Sequence, residues 1–197
     1  MHRLAKASLT VMLVCAVVAA QKKEYLTEDE VDLIRDAQEL SARVPAYLKL
    51  AERRLIFLGI MEKSQQQIEK ERKEKEKREK EQKKSIDTRA NANKAPIDDT
   101  SYLDNFSPAE LLRGYIQVLD EIADNIDNAY KSKLDVRDSL EDLAKFIRDT
   151  VPLLEKYKAK NESARVALQD AVDRAKQIAA DTKEALSIVP KTEKKRK

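Results

Sequence analysis

Imidazole and thiol are nearly missing from this sequence, whose 197 residues include one His, one Cys and no Trp. Both rare groups, His2 and Cys15, fall in the opening stretch MHRLAKASLTVMLVCAVVAA. There His2, Arg3 and Lys6 precede an apolar run from Leu9 to Ala20, with Val18 and Ala20 just before Gln21. Charged start, short apolar middle and small residues at the end are the plan of a cleaved secretory signal. A membrane anchor would need about 20 apolar residues, and the run ends at Gln21, Lys22 and Lys23. Lipid attachment at Cys15 fits less well, because Met12, Leu13 and Val14 put bulk where a small residue is expected. Removal of residues 1–20 leaves no thiol and no imidazole. The expectation is then a secreted or periplasmic chain without disulfides, Cys/His zinc sites, Ser-His-Asp relays or Cys-His pairs.

Glycine occurs only twice, against a usual share of about 7%, and no glycine-rich phosphate loop, nucleotide fingerprint or EF-hand spacing is present. Aromatic residues make up 5%. Pockets that bind sugars or other small molecules are normally walled with such side chains. A large excess of one charge is missing as well. Without Arg3 and Lys6, 37 basic side chains stand against 36 acidic ones, a balance unlike the asymmetric basicity of nucleic-acid binders. No nucleic-acid partner is expected. What is abundant is charge of both signs, 38% of residues, which suits long helices joined by few turns.

The helix grammar is explicit at two places. In LTEDEV, Thr27 can cap, Glu30 can reach back from the third helical position, and Leu26 and Val31 are spaced to staple across the turn. In FSPAEL the same roles fall to Ser107, Glu110, Phe106 and Leu111, with Pro108 at the first helical position. From Thr27, the residues Val31, Ile34, Ala37 and Leu40 or Ser41 form one apolar stripe. Pro45 then predicts a break or kink near residues 41–45, with a second helix following. That helix becomes apolar nearly all round at Leu55 to Ile60 and is expected to run on into IEKERKEKEKREKEQKKS. Of the six Glu between 69 and 81, five have Lys or Arg four residues later. This pairing contributes about 0.2 to 0.5 kcal/mol each and favours a solvated helical arm over a disordered spacer.

Residues 85–107, rich in Asn, Asp, Ser and Thr, read as a linker whose far end is fastened by Tyr102, Leu103 and Phe106. Beyond it a heptad-like stripe runs through Leu112, Tyr115, Leu119, Ile122, Ile126 and Ala129, then Val136, Leu140, Leu143, Ile147, Leu154 and Tyr157. It resumes at Ala164, Leu168, Ala171, Ala175, Ile178 and Ala185, with Lys133, Thr150, Asn161 and Thr182 as its polar positions. Turns are expected near 133–135 and 160–163, with Asp135 or Asn161 as caps. Gly114, inside a helix, would allow a close contact.

The domain plan is thus a signal peptide (1–20), an N-terminal helical part (21–61), a charged arm (62–84), a linker (85–107), a C-terminal helical part (108–189) and a basic tail (190–197). The expected fold is all-α, an antiparallel bundle of long amphipathic helices with a Lys/Glu helical arm and a flexible linker. No stable membrane span remains after signal cleavage. The tail KTEKKRK can attract anionic surfaces such as lipid headgroups.

With imidazole and thiol gone, chemistry would rest on carboxylates, Lys, Tyr or a bound cation. Asp120, Asp124 and Asp127 lie four and three residues apart on one helical face and are the candidate ligands for Ca²⁺, Mg²⁺ or Mn²⁺. They sit beside the apolar stripe, where a solvated rim is expected. Asp135, Asp138, Glu141 and Asp142 have a simpler role in complementing a helix start. Asn105-Phe-Ser107 and Asn161-Glu-Ser163 match the glycosylation triplet. No catalytic residue or cofactor site is assigned. The expected function is non-enzymatic, structural or protein-binding, with self-association through the apolar stripe as one form of it. A carboxylate metal-binding bundle and a carboxylate enzyme are the alternatives.

Overall fold

The computed structural model describes residues 25–63, 68–69, 72–73, 76 and 101–190. These form an all-α bundle, and among the described residues there is no strand. The helices are α1 (Glu28–Asp36), α2 (Leu40–Phe57), α3 (Pro108–Lys131), α4 (Arg137–Lys156) and α5 (Glu162–Ile188), with a 3-10 turn at Ser101–Asn105 before α3. The segment read as a signal peptide, most of the arm, the linker up to residue 100 and the tail from 191 lie outside the described residues.

Both capping boxes form. The Thr27 hydroxyl accepts from the Glu30 amide, and the Glu30 carboxylate accepts from the Thr27 amide. Ser107 and Glu110 repeat the exchange at the start of α3. Each box satisfies amides that a helix start otherwise leaves unpaired. Asn161 caps α5 by accepting from the Ala164 amide at 2.8 Å.

The core is the heptad-like stripe turned inward. Leu112, Tyr115, Leu119 and Ile122 of α3 are fully buried, as are Leu50, Ala51 and Leu55 of α2. From α4 come Leu143, Ile147 and Leu154, and from α5 Ala167, Ala171 and Ala175. Burying each large aliphatic side chain contributes about 1.5 to 3 kcal/mol. α2 packs mainly on α3, and α5 packs on both α3 and α4. The alanines of α5 make this geometry feasible, because small side chains let a helix lie close in the groove between two others. Two threonines interrupt the stripe without penalty. Thr150 donates to the Phe146 carbonyl (2.9 Å) and Thr182 to the Ile178 carbonyl (2.6 Å), so neither buried hydroxyl is unpaired.

Two expectations fail and a third holds in part. The break falls at residues 37–39, not 41–45, and Pro45 sits inside α2. Ser41 and Pro45 both face solvent, where water can replace the bond the ring removes. The break itself is held by Arg43, which donates to the carbonyls of Ala37 (2.9 Å) and Gln38 (3.0 Å) and to Asn125 Oδ1 of α3 (3.2 Å). The stripe of α1 holds in part: Ile34, Ala37 and Leu40 are half-buried and Ile34 and Leu40 pack on the core, but Val31 is 36% exposed while Glu30 is 2% exposed. Finally, α2 does not continue into the arm. It ends at Phe57 because Gly59 adopts φ +70° and lets the Ile60 and Gly59 amides turn back onto the Leu55 and Ile56 carbonyls, both at 2.9 Å. Ile60 then folds onto the core. Within the arm, residues 68, 69, 72, 73 and 76 are helical, and Lys73 pairs with Glu69 at 2.8 Å.

Candidate functional site

Two features of the bundle carry unusual chemistry: a buried ionic cluster at α1, α2 and α3, and an open groove at the end of the bundle where α3 meets α4 and α5 stops.

The cluster begins with a charge on the core-facing side of α2. Arg54 follows four residues after Leu50 on α2 and would be stranded in the core without partners. It is 1% exposed and fully supplied. Its Nη1 donates to Glu30 Oε1 (3.2 Å) and the Leu50 carbonyl (2.8 Å), while Nη2 donates to Glu30 Oε2 (3.0 Å) and the Tyr25 carbonyl (2.5 Å). The two-pronged contact uses the match between a guanidinium fork and a carboxylate. Glu30 accepts in addition from the Tyr102 hydroxyl. One carboxylate thereby joins the α1 cap, α2 and the 3-10 turn that precedes α3. Gly114 of α3 completes the cluster. A Cβ at that position would lie 3.1 Å from Arg54 Nε and 3.5 Å from its Cδ, so the missing side chain is the space the guanidinium occupies.

Four tyrosines line this side of the bundle and its core, and all resist ionisation. Burial raises the pKa of Tyr102, reinforced by the Glu30 charge it faces. Tyr25 and Tyr47 are raised by burial and then by the Glu121 charge. Burial pushes Tyr115 up to about 12, partly offset by its hydrogen bond to Thr150. These hydroxyls stay protonated and act as donors across the neutral range. Among the described residues no buried side-chain nitrogen or oxygen lacks a hydrogen-bond partner. The cluster is therefore a clamp: its charges are held by one another and by carbonyls.

The candidate metal ligands do not converge. Asp120 pairs with Arg174 Nε at 2.6 Å, tying α3 to α5, and Asp124 and Asp127 are exposed. No group of three His, Cys, Asp or Glu side chains among the described residues has the arrangement of a metal site. The acidic group at the start of α4 works locally: Asp135 accepts from the Arg137 amide at 3.0 Å, and Glu141 pairs with the Arg137 side chain at 2.8 Å. The same Arg137 donates from Nη1 to the carbonyls of Leu186 (2.8 Å) and Val189 (2.7 Å), closing the end of α5. A cation there also complements the helix dipole.

The groove, about 700 Å³ and open to solvent, lies beside that closure between residues 130–136 and Val189–Pro190. Tyr130, Leu134 and Ile188 around it are 53, 59 and 65% exposed, with Lys131 and Lys133 alongside. Lys133 has φ +59°.

The buried clamp escaped the sequence reading, which saw Glu30 only as a capping residue. The usable signal was Arg54 four residues after Leu50 and directly before the apolar run that starts at Leu55, since a charge on that face demands a partner. The chain matches no family model, no curated protein and no solved structure. No helix among the described residues is long and apolar enough to cross a membrane.

Proposed function

We propose that the protein is an exported, non-enzymatic helical-bundle module with a structural or protein-binding role. The observation that carries this reading is the use made of the buried charge. Glu30 and Arg54 bind each other, two carbonyls, an amide and a tyrosine hydroxyl. A catalytic acid or base needs a poised titratable group beside a space for substrate. Here the buried pair faces other protein groups and stiffens the joint between α1, α2 and α3. The open groove, by contrast, brings together lysines, one aspartate and apolar side chains. Such a rigid body is suited to presenting surfaces and the charged arm to a partner.

The test is site-specific photocrosslinking in the producing cells, with the crosslinker at exposed positions Lys73 of the arm and Glu141 of the bundle. A discrete adduct with a second copy or another protein, identified by mass spectrometry, is the expected result from at least one position. Absence of any discrete protein adduct from both, in protein that is exported and folded, overturns the reading.

A further inference from the structure

We propose that the bundle end formed by Tyr130, Lys131, Lys133, Leu134 and Ile188 docks on an anionic lipid surface. The first observation is an internal comparison between two helix ends. α2 and α3 terminate in the same hydrogen-bonded motif: the Ile60 amide returns to Leu55 and the Gly59 amide to Ile56, as Leu134 returns to Ala129 (3.0 Å) and Lys133 to Tyr130 (2.9 Å). At α2 the left-handed position is Gly59, and the apolar residue after it, Ile60, folds inward at 8% exposure. The motif ordinarily makes this hydrophobic contact. At α3 the left-handed position is Lys133, a residue strained there, and the apolar residue after it, Leu134, stands out at 59% exposure. A helix end built for stability alone would have the first arrangement.

The second observation is the company Leu134 keeps. Tyr130, in the same groove wall, and Ile188, which precedes the groove-lining Val189, are also more than half exposed, so this end of the bundle carries three of the larger exposed apolar side chains. Lys131 and Lys133 stand beside them in the groove wall. The opposing charge within the groove is Asp135, whose Oδ1 accepts from the Arg137 amide; the next acids along the helices are Asp127, Asp138 and Glu184, while Glu141 is paired with Arg137. Apolar tips with two ammonium groups beside them match an anionic bilayer surface. The tips enter the headgroup layer, a tyrosine suits its boundary, and the lysine stems extend toward lipid phosphates. A stable protein interface needs about 800 Å² from each partner, more than three side chains supply. Each basic group near such a surface raises partitioning roughly fivefold, and salt weakens the effect.

The experiment compares binding of the processed full-length protein to vesicles of phosphatidylglycerol with phosphatidylcholine and to vesicles of phosphatidylcholine alone. The expected result is a preference of about tenfold or more for the anionic vesicles, lost at high salt. Leu134→Ser with Ile188→Ser should reduce binding by about tenfold, and Lys131→Gln with Lys133→Gln by up to about 25-fold, with circular dichroism unchanged because these side chains are exposed. Equal binding to both vesicles overturns the proposal. So does loss of binding only on Lys194→Gln, Lys195→Gln and Arg196→Gln, since the tail alone would then be responsible. A dimer that is dissociated by the Ser substitutions and ignores vesicles would assign the surface to a second copy instead. None of these results depends on crosslinking at the arm.

Discussion

Replacing Gly114 with Ala pits two known effects against each other. In a helix interior, Ala is about 1 kcal/mol more favourable than Gly, so on helix energetics alone α3 should gain stability. The new methyl group, however, would lie 3.1 Å from Arg54 Nε. A flexible exposed arginine would swing aside at little cost. Arg54 cannot, because its two terminal nitrogens are held by Glu30, Leu50 and Tyr25. A shift of a few tenths of an ångström must stretch those bonds or push α2 from α3. Overpacking of this kind costs about 1 to 3 kcal/mol. The expected net outcome for Gly114→Ala is a loss of up to about 2 kcal/mol, and therefore a melting temperature lower by several degrees. The control is Arg54→Met, which severs the pair and is itself costly, about 3 to 5 kcal/mol, because Glu30 is left buried without its counter-charge. In that background the pinned guanidinium is gone and a flexible thioether can yield. Gly114→Ala should then stabilise by about 0.5 to 1 kcal/mol. Urea unfolding of all four proteins, followed by far-ultraviolet circular dichroism, gives a coupling energy of about 1 to 3 kcal/mol. Equal effects of Gly114→Ala in both backgrounds would refute the claim that the glycine exists for the arginine.

Lys133→Gly should raise stability by about 0.5 to 1 kcal/mol, because relief of the left-handed strain at φ +59° outweighs the extra freedom of the unfolded chain; a lower urea midpoint would contradict it. Arg137→Ala strips donors from the Leu186 and Val189 carbonyls and should cost about 1 to 2 kcal/mol. The same change should accelerate amide hydrogen exchange at the end of α5 while leaving α2 protected. The tyrosines predict alkaline unfolding. The pKa of Tyr115 rises from 10.0 unfolded to about 12 folded, so its stabilising contribution is complete below pH 10 and is lost as pH climbs toward 12. Tyr115→Phe removes that linkage and should move the alkaline midpoint upward, read by circular dichroism against phenolate absorbance; an unchanged midpoint would show that Tyr115 does not govern the transition.

The bundle was legible where local chemistry and burial agree. Ser107-Pro108-Ala109-Glu110 encodes a helix start within four residues, and the stripe from Leu112 to Ala129 needs only a period to place its buried face. Legibility ended where a remote partner changes the meaning of a residue. Glu30 satisfies the capping rule, and nothing within its own helix distinguishes an exposed capping carboxylate from a buried one. Only Arg54, 24 residues away, and Tyr102, 72 away, turn that oxygen pair inward and push Val31 toward solvent. Pro45 misled for a related reason. A proline's missing donor matters where its carbonyl partner is dry, and its position on the wet side of α2 is set by α3, which the local sequence does not contain. The helix stop at Gly59 was a local signal passed over. It stands beside Ile60, and a glycine followed by an apolar residue at the close of an amphipathic run is the grammar of a helix end. The long series of i to i+4 pairs beyond it favoured an uninterrupted helix, yet such pairs, at a few tenths of a kcal/mol each, act only once the backbone is helical. They cannot carry a helix through a residue whose φ is positive and whose successor is drawn into the core, so Gly59 determines where α2 ends.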